Sequence, residues 1–85
     1  MNNQKLEHLE RLVQKTLQAK AGGFHALSTG EKLAAAILLN RFDWLQEMDY
    51  SMADAIERID YDWLELIGTA SRILKYPNDY PAIFS

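Results

Sequence analysis

The tripeptide Asp-Trp-Leu occurs twice in this chain, at residues 43–45 and 62–64, and it belongs to a longer repeat. At the same offset of nineteen residues, an Ala-x-Ala-Ile stretch and an aromatic residue precede each tripeptide. The repeat predicts a helix, a turn and a second helix in each copy, and therefore two helical hairpins in tandem. The matched residues are Ala34, Ala36, Ile37 and Phe42 in the first copy and Ala53, Ala55, Ile56 and Tyr61 in the second.

The aspartate of each repeat has the spacing of a helix N-cap. Asp43 is followed three residues later by Gln46, and Asp62 is followed by Glu65, as in a capping box. A carboxylate at this position accepts hydrogen bonds from amides that the first turn leaves unpaired, which stabilises a helix by about 1 kcal/mol. We therefore predict that Asp43 and Asp62 are N-caps and that each begins a new helix.

Apolar residues at helical spacing mark the N-terminal segment, residues 1–20. Leu6, Leu9, Val13 and Leu17 are separated by three, four and four positions, with charged and amide side chains between them. This periodicity predicts an amphipathic helix, and the paired glycines that follow predict its end. We predict that the stripe is a self-association surface, because so short a chain builds a modest core and gains from burial against a second copy.

Residues 28–74 are predicted to hold the helical hairpin pair. Ser28 and Glu31 have capping-box spacing ahead of a nearly continuous apolar run, so the helix that follows should be the central and most buried one. Asn40 is its expected end. The last long helix is predicted from residue 63 to about residue 74, with Trp63 as a core anchor.

The C-terminal segment, residues 75–85, contains two Tyr-Pro pairs. A residue that precedes proline disfavours helical geometry, so this segment is predicted to be an extended tail. Its end is unusually apolar for a chain terminus. Ile83 and Phe84 are expected either to dock in a groove of the same chain or to reach a partner.

Composition agrees with a fold built from helices alone. The 85 residues include 22 leucines and alanines but only 4 valines and threonines. Proteins built from β-sheets are richer in β-branched residues and poorer in alanine, because β-branched residues suit a pleated surface and alanine does not. A chain of this length forms one domain at most. The predicted fold is all-α: a small single-domain bundle, residues 1–85, of four to five helices with two capped hairpins in tandem.

The sequence lacks the residues that several functional classes require. There is no cysteine, and His8 and His25 have no ligand partner at helical spacing, so no metal site is predicted. With neither a phosphate-binding glycine loop nor a nucleophile elbow, no enzyme activity, cofactor or small-molecule substrate is expected. The longest apolar run, residues 33–39, is far shorter than the ~20 residues that cross a bilayer. The charged N-terminal stretch does not resemble a signal peptide, so we expect a soluble cytoplasmic protein without membrane contact.

Charge is distributed unevenly along the chain. Residues 1–42 carry a net charge of +3, residues 43–65 carry −7 and residues 66–85 carry +1. The simplest interpretation is a solvated face whose carboxylates also favour helix N-termini. The alternative is an acidic patch that attracts a basic partner or imitates nucleic acid. The acidic candidates for contact with a partner are Asp60, Asp62 and Glu65.

Phe42 and Trp44 are not expected to share one buried face. Residues two positions apart on a helix project about 200° apart. One of the two rings therefore packs on another part of the chain or is exposed as an anchor for a partner. Both residues are included in the predicted interaction surface.

These features predict a non-enzymatic protein-interaction or regulatory module that self-associates and presents an aromatic and acidic surface to another protein. One alternative is a helix-turn-helix regulator, since residues 51–67 have that outline. Its second helix opens with acidic residues where phosphate contact calls for lysine or arginine, so nucleic acid is not the expected partner. Another alternative is an acidic nucleic-acid mimic that captures a basic partner. Any direct nucleic-acid contact would use Lys5, Arg11, Lys15 and Lys20.

Overall fold

Helices and helical turns make up all the regular structure in the computed structural model, which describes residues 2–84 apart from the side chains of Ala82 and Phe84. Within that range there is no β-strand, so the all-α prediction is confirmed. Five of the α-helices are longer than a single turn. They are α1 (Asn3–Gln18), α2 (Thr29–Leu38), α3 (Phe42–Glu47), α4 (Met52–Arg58) and α6 (Ile67–Lys75), and the single turns are α5 (Tyr61–Leu64) and α7 (Pro81–Phe84).

The glycine pair ends α1 as the sequence predicts. The helix widens into a π-helical turn, Ala19–Gly23, in which Gly22 has a φ of 102°, a left-handed value that favours glycine. The Gln18 side chain donates a hydrogen bond to the Gly23 carbonyl at 3.4 Å. A 3-10 turn, Phe24–Ala26, then leads the chain to α2.

Serine capping boxes begin α2 and α4. In α2 the Glu31 amide donates to Ser28 Oγ at 3.3 Å, and the Ser28 amide donates to Glu31 Oε1 at 2.9 Å. Ser51 forms the same reciprocal pair with Asp54 at the start of α4. At its other end α2 stops before Asn40, which takes a left-handed φ of 57°, and the predicted end is confirmed.

The prediction that Asp43 and Asp62 are N-caps is wrong. Helix α3 begins at Phe42 after Arg41, and α5 begins at Tyr61 after Asp60, so each predicted cap is the second residue of its helix. Neither helix has a side-chain cap hydrogen bond. The reason in the first copy is local, because both carboxylate oxygens of Asp43 accept hydrogen bonds from the Arg41 guanidinium, at 2.8 and 3.0 Å.

The two C-terminal predictions are also corrected. The expected helix from residue 63 to 74 is interrupted between α5 and α6, where the Leu66 amide donates to the Trp63 carbonyl in a tighter turn. Residues 75–85 are not an extended tail, since a 3-10 turn spans Pro77–Asp79 and α7 begins at Pro81. Proline suits the first position of a helical turn, where its fixed φ is preorganised and its missing N–H is not needed.

The main core joins all seven helices. Helix α1 packs most extensively on α2 and also contacts α5 and α6. Alanines are wholly buried where these helices meet, and their short side chains allow the backbones to approach closely. Trp63 is buried in this core, which confirms its predicted anchoring role. The core side chains are Leu9, Leu12, Val13, Leu33, Ala34, Ala36, Leu45, Ala55, Ile59, Trp63, Leu66, Ala70, Ile73 and Ile83.

We expect Ser51→Ala to lower the free energy of unfolding by about 1 kcal/mol, because it removes the oxygen that accepts the Asp54 amide. Asp62→Ala should change it by less than about 0.5 kcal/mol, since this exposed carboxylate caps nothing. Urea denaturation monitored by circular dichroism measures both values. Ser28→Ala is the matched control and should behave like Ser51→Ala. An Asp62→Ala loss as large as that of Ser51→Ala would contradict the corrected cap assignment.

Candidate protein-interaction surface

The apolar stripe of α1 is used within the chain. Leu9 and Val13 are buried in the main core, Leu17 is half-buried against it, and Leu6 is 38% exposed. Helices α2, α5 and α6 cover the face that the sequence pattern left without a partner. The predicted self-association surface is therefore wrong for Leu9 and Val13, because a second copy cannot reach them while this fold persists.

The apolar chain end also packs on its own chain. Ile83, in α7, is buried and belongs to the main core. Of the two alternatives for this residue, docking in the same chain is the one that the structure shows, and the partner contact proposed for Ile83 is corrected accordingly. The side chain of Phe84 lies outside the described residues.

The two aromatic residues of the first repeat point in different directions. Phe42 is 49% exposed, whereas Trp44 is half-buried. The Trp44 ring lies 4.2 Å from the Phe24 ring, centroid to centroid, and the Arg41 guanidinium covers the Trp44 ring at 4.2 Å. A tilted aromatic pair with a cation over one face is a favourable arrangement. Phe42 is thus the exposed anchor candidate, and Trp44 holds α3 to the turn before α2.

Arg41 and Asp43 form the closest ion pair among residues 2–84, with an N–O separation of 2.8 Å. The hydrogen bonds from the guanidinium lower the pKa of the Asp43 carboxyl, and the same bonds raise the pKa of Arg41. Both side chains are exposed to solvent, so the pair contributes little to stability. Its effect is to fix the position of Arg41 over the Trp44 ring.

The predicted acidic residues Asp60, Asp62 and Glu65 are all exposed, but two of them face α1. Glu65 lies 3.7 Å from Lys5 Nζ, and Asp62 lies 3.7 Å from His8 Nε2. Lys5 therefore balances part of the charge of this group, whereas the contact of Asp62 with His8 is ionic only when the imidazole is protonated. Asp60 has no cation within 4.0 Å among the residues that the structure describes.

Four other carboxylates of the acidic segment lie on α3, α4 and the turn between them. They are exposed, and no cation of the described chain lies within 4.0 Å of them. Ile56 in the same segment is 42% exposed. Only Ala55 of α4 is buried, so most of the circumference of this helix faces solvent. We call this region the acidic surface, and it comprises Glu47, Asp49, Asp54, Ile56 and Glu57.

In two grooves on the molecule, all the charged side chains of the lining have the same sign, negative in one groove and positive in the other. The acidic groove, about 350 Å³, is lined by Gln46, Asp49, Tyr50, Ser51 and Asp54 and forms part of the acidic surface. The basic groove, about 240 Å³, is lined by Gly68, Ser71, Arg72, Lys75 and Tyr76.

Two further grooves contain charges of both signs. The largest, about 550 Å³, is lined in part by Arg11, Glu31, Arg58 and Asp60, with Trp63 beside them. A small groove of about 140 Å³ lies at the α1–α5 contact and contains Asp62 with His8 and Glu65 with Lys5. Neither groove has the uncompensated charge that would favour an ionic ligand.

The described part of the chain contains no cluster of three potential metal-ligating side chains. No helix within residues 2–84 is both long enough and apolar enough to cross a bilayer. No protein-family model matches this chain, and no curated protein or solved structure matches it either.

The sequence interpretation did not include the four exposed carboxylates of the acidic surface among its candidate residues. It identified the acidic run of residues 43–65 but chose its last three members, two of which contact side chains of α1. The capping-box spacing of Ser51 and Asp54 already marked α4 as a separate helix. The basic groove had a weaker signal, the spacing of Arg72, Lys75 and Tyr76 on one side of α6.

The pKa of Asp43 provides a test of the Arg41 contact. A carboxyl whose pKa is lowered in the folded state stabilises the fold above its ordinary pKa, and this contribution is lost as the pH falls through the lowered value. We expect Arg41→Gln to move the Asp43 titration midpoint up towards that of an unstructured peptide. Carbon-detected NMR of the carboxyl group measures the midpoint. Lys20→Gln is the control and should leave it in place; an unchanged midpoint in Arg41→Gln would contradict the assigned cause.

Proposed function

We propose that this chain is a non-enzymatic protein-interaction or regulatory module that binds a basic partner through the acidic surface and also self-associates. The observation that supports this proposal is the set of four exposed carboxylates on α3, α4 and the turn between them, none with a cation within 4.0 Å in the described chain, together with the exposed side chain of Ile56 on α4. Phe42 offers a second exposed apolar side chain near the start of α3. The cytoplasmic location stays a prediction from the sequence.

The physical roles of the two residue types differ. Burial of an exposed apolar side chain such as Ile56 against a partner contributes roughly 25 cal/mol per Å² of apolar area removed from water. Each exposed carboxylate contributes little, about 0.2–1 kcal/mol when paired, but several together accelerate association and select partners of positive charge. The apolar contact therefore supplies binding energy, and the carboxylates orient the partner.

The helix-turn-helix alternative finds no support in the geometry. The segment that would be the recognition helix is interrupted after Leu64, and Asp62 and Glu65 lie against α1. A nucleic-acid mimic would use the same carboxylates as the proposed surface, so it is distinguished by competition. If the chain imitates DNA, duplex DNA should displace it from a DNA-binding partner.

Binding of a synthetic peptide with alternating lysine and leucine residues tests the proposal. Fluorescence anisotropy of the labelled peptide should show binding that weakens as salt rises, because the attraction is partly electrostatic. Glu47→Gln with Glu57→Gln should weaken binding about two- to thirtyfold, as expected for two exposed charge pairs of ~0.2–1 kcal/mol each. Ile56→Ser should weaken binding at every salt concentration, since it removes apolar contact area.

Glu7→Gln with Glu10→Gln is the matched control, because it removes the same charge from α1. The control should bind the peptide nearly as well as the unmodified chain. An equal loss in both pairs of variants would show that net charge alone attracts the peptide and would overturn the acidic surface as a specific site. Leu6→Ser is the corresponding control for Ile56→Ser, as Leu6 is similarly exposed.

A further inference from the structure

The basic groove occupies one side of α6 and its end. Its lining residues are spaced by three, one, three and one positions, so they share one side of the helix. Arg72 and Lys75 are both exposed, and no carboxylate of residues 2–84 lies within 4.0 Å of either. Tyr76, at 59% exposed, adds an uncovered aromatic ring. Two cations and an aromatic ring are thus available in one place.

This groove differs from the other cation-bearing grooves described above. The largest groove has Glu31 and Asp60 beside its two arginines, and the groove at the α1–α5 contact has Asp62 and Glu65 beside Lys5. Their positive charge is compensated locally. Among the four grooves, the basic groove is the one whose lining combines positive charge with no carboxylate. The positive charge of this groove therefore favours an acidic partner.

The acidic groove has the complementary chemistry on the same chain. It presents Asp49 and Asp54 without a cation in its lining, together with Tyr50 and Ser51. Each groove therefore pairs two like charges with one tyrosine and one serine, and the charges are opposite. Both grooves are open to a second molecule, and opposite charge favours their approach.

We propose that the chain self-associates head to tail, with the basic groove of one copy bound to the acidic groove of the next. This inference rests on the proposed function and names a second copy of the chain as a basic partner. Because two different surfaces meet, an open assembly always has one free acidic groove at one end and one free basic groove at the other. Such an interface adds copies until a ring closes or continues as an open assembly. Exposed charges dominate it, so assembly weakens as salt rises.

Two double variants each remove the charge of one groove and are chosen to preserve the fold. Asp49→Asn with Asp54→Gln neutralises the acidic groove; asparagine tolerates the left-handed φ of 62° at position 49, and glutamine preserves the capping box at position 54. Arg72→Gln with Lys75→Gln neutralises the basic groove, and glutamine favours helix at both positions. Glu7→Gln with Lys20→Gln is the control, since it removes one charge of each sign elsewhere.

Light scattering with in-line chromatography at low salt measures the assembly. The unmodified chain should form species larger than a dimer as concentration rises, and these should dissociate in high salt. Each groove variant alone should remain a monomer, and the control should assemble like the unmodified chain. An equimolar mixture of the two groove variants should form dimers and nothing larger, because each contributes one intact groove.

Three results would overturn the inference: a monomer mass for the unmodified chain at high concentration and low salt, persistent assembly of either groove variant, or no dimer in the mixture. Binding of the lysine–leucine peptide separates this failure from that of the proposed function. If the unmodified chain binds the peptide but stays monomeric, the head-to-tail contact is wrong and the proposed function stands. If the chain neither binds the peptide nor assembles, both are wrong.

Discussion

The burial of the apolar face of α1 against α2 and α6 is the contact on which the rest of this structure depends. The helices after α1 have ten residues or fewer, and helices of that length are marginal in water without tertiary packing. Leu12 and Val13 are wholly buried, and the alanines opposite them allow close approach of the backbones. Thr16 is also wholly buried on this face, where its hydroxyl donates to the Leu12 carbonyl at 2.8 Å. This arrangement satisfies the hydroxyl inside the core.

The same helix decides which charges remain available at the surface. By lying along α5, α1 brings Lys5 to Glu65 and His8 to Asp62, and it withdraws part of the acidic segment from outside partners. Apart from Asp43, which pairs with Arg41, the carboxylates of α3 and α4 have no cation within 4.0 Å among the described residues. The proposed acidic surface thus follows from core packing. The buried face of α1 sets the position of this helix, and that position places its polar side chains Lys5 and His8 next to α5. The basic groove on α6 is left open for the same reason, since the opposite side of that helix supplies the core contacts through Ala70 and Ile73.

Much of the local structure was predictable because its causes are local. The Ser28 capping box, the glycine end of α1 and the stop at Asn40 each depend on residues within one helical turn. The cap prediction for Asp43 failed for an equally local reason, since the arginine two positions earlier donates hydrogen bonds to both oxygens of its carboxylate. A spacing rule considers one pair of residues at a time and does not weigh such competitors. The tail prediction failed because proline also suits the first residue of a short helix, and the burial of Ile83 favours that geometry here.

What the sequence determined by itself is the helical character of the chain, the amphipathic face of α1 and the concentration of negative charge in residues 43–65. These properties follow from side-chain type and spacing, which act over a few residues. Only the tertiary structure decided that the stripe of α1 is a core face, that Phe42 is exposed while Trp44 packs on Phe24, and which carboxylates contact a basic side chain within residues 2–84. An amphipathic helix shows that an apolar face must be covered but not what covers it, because that choice depends on residues far apart in sequence meeting in space.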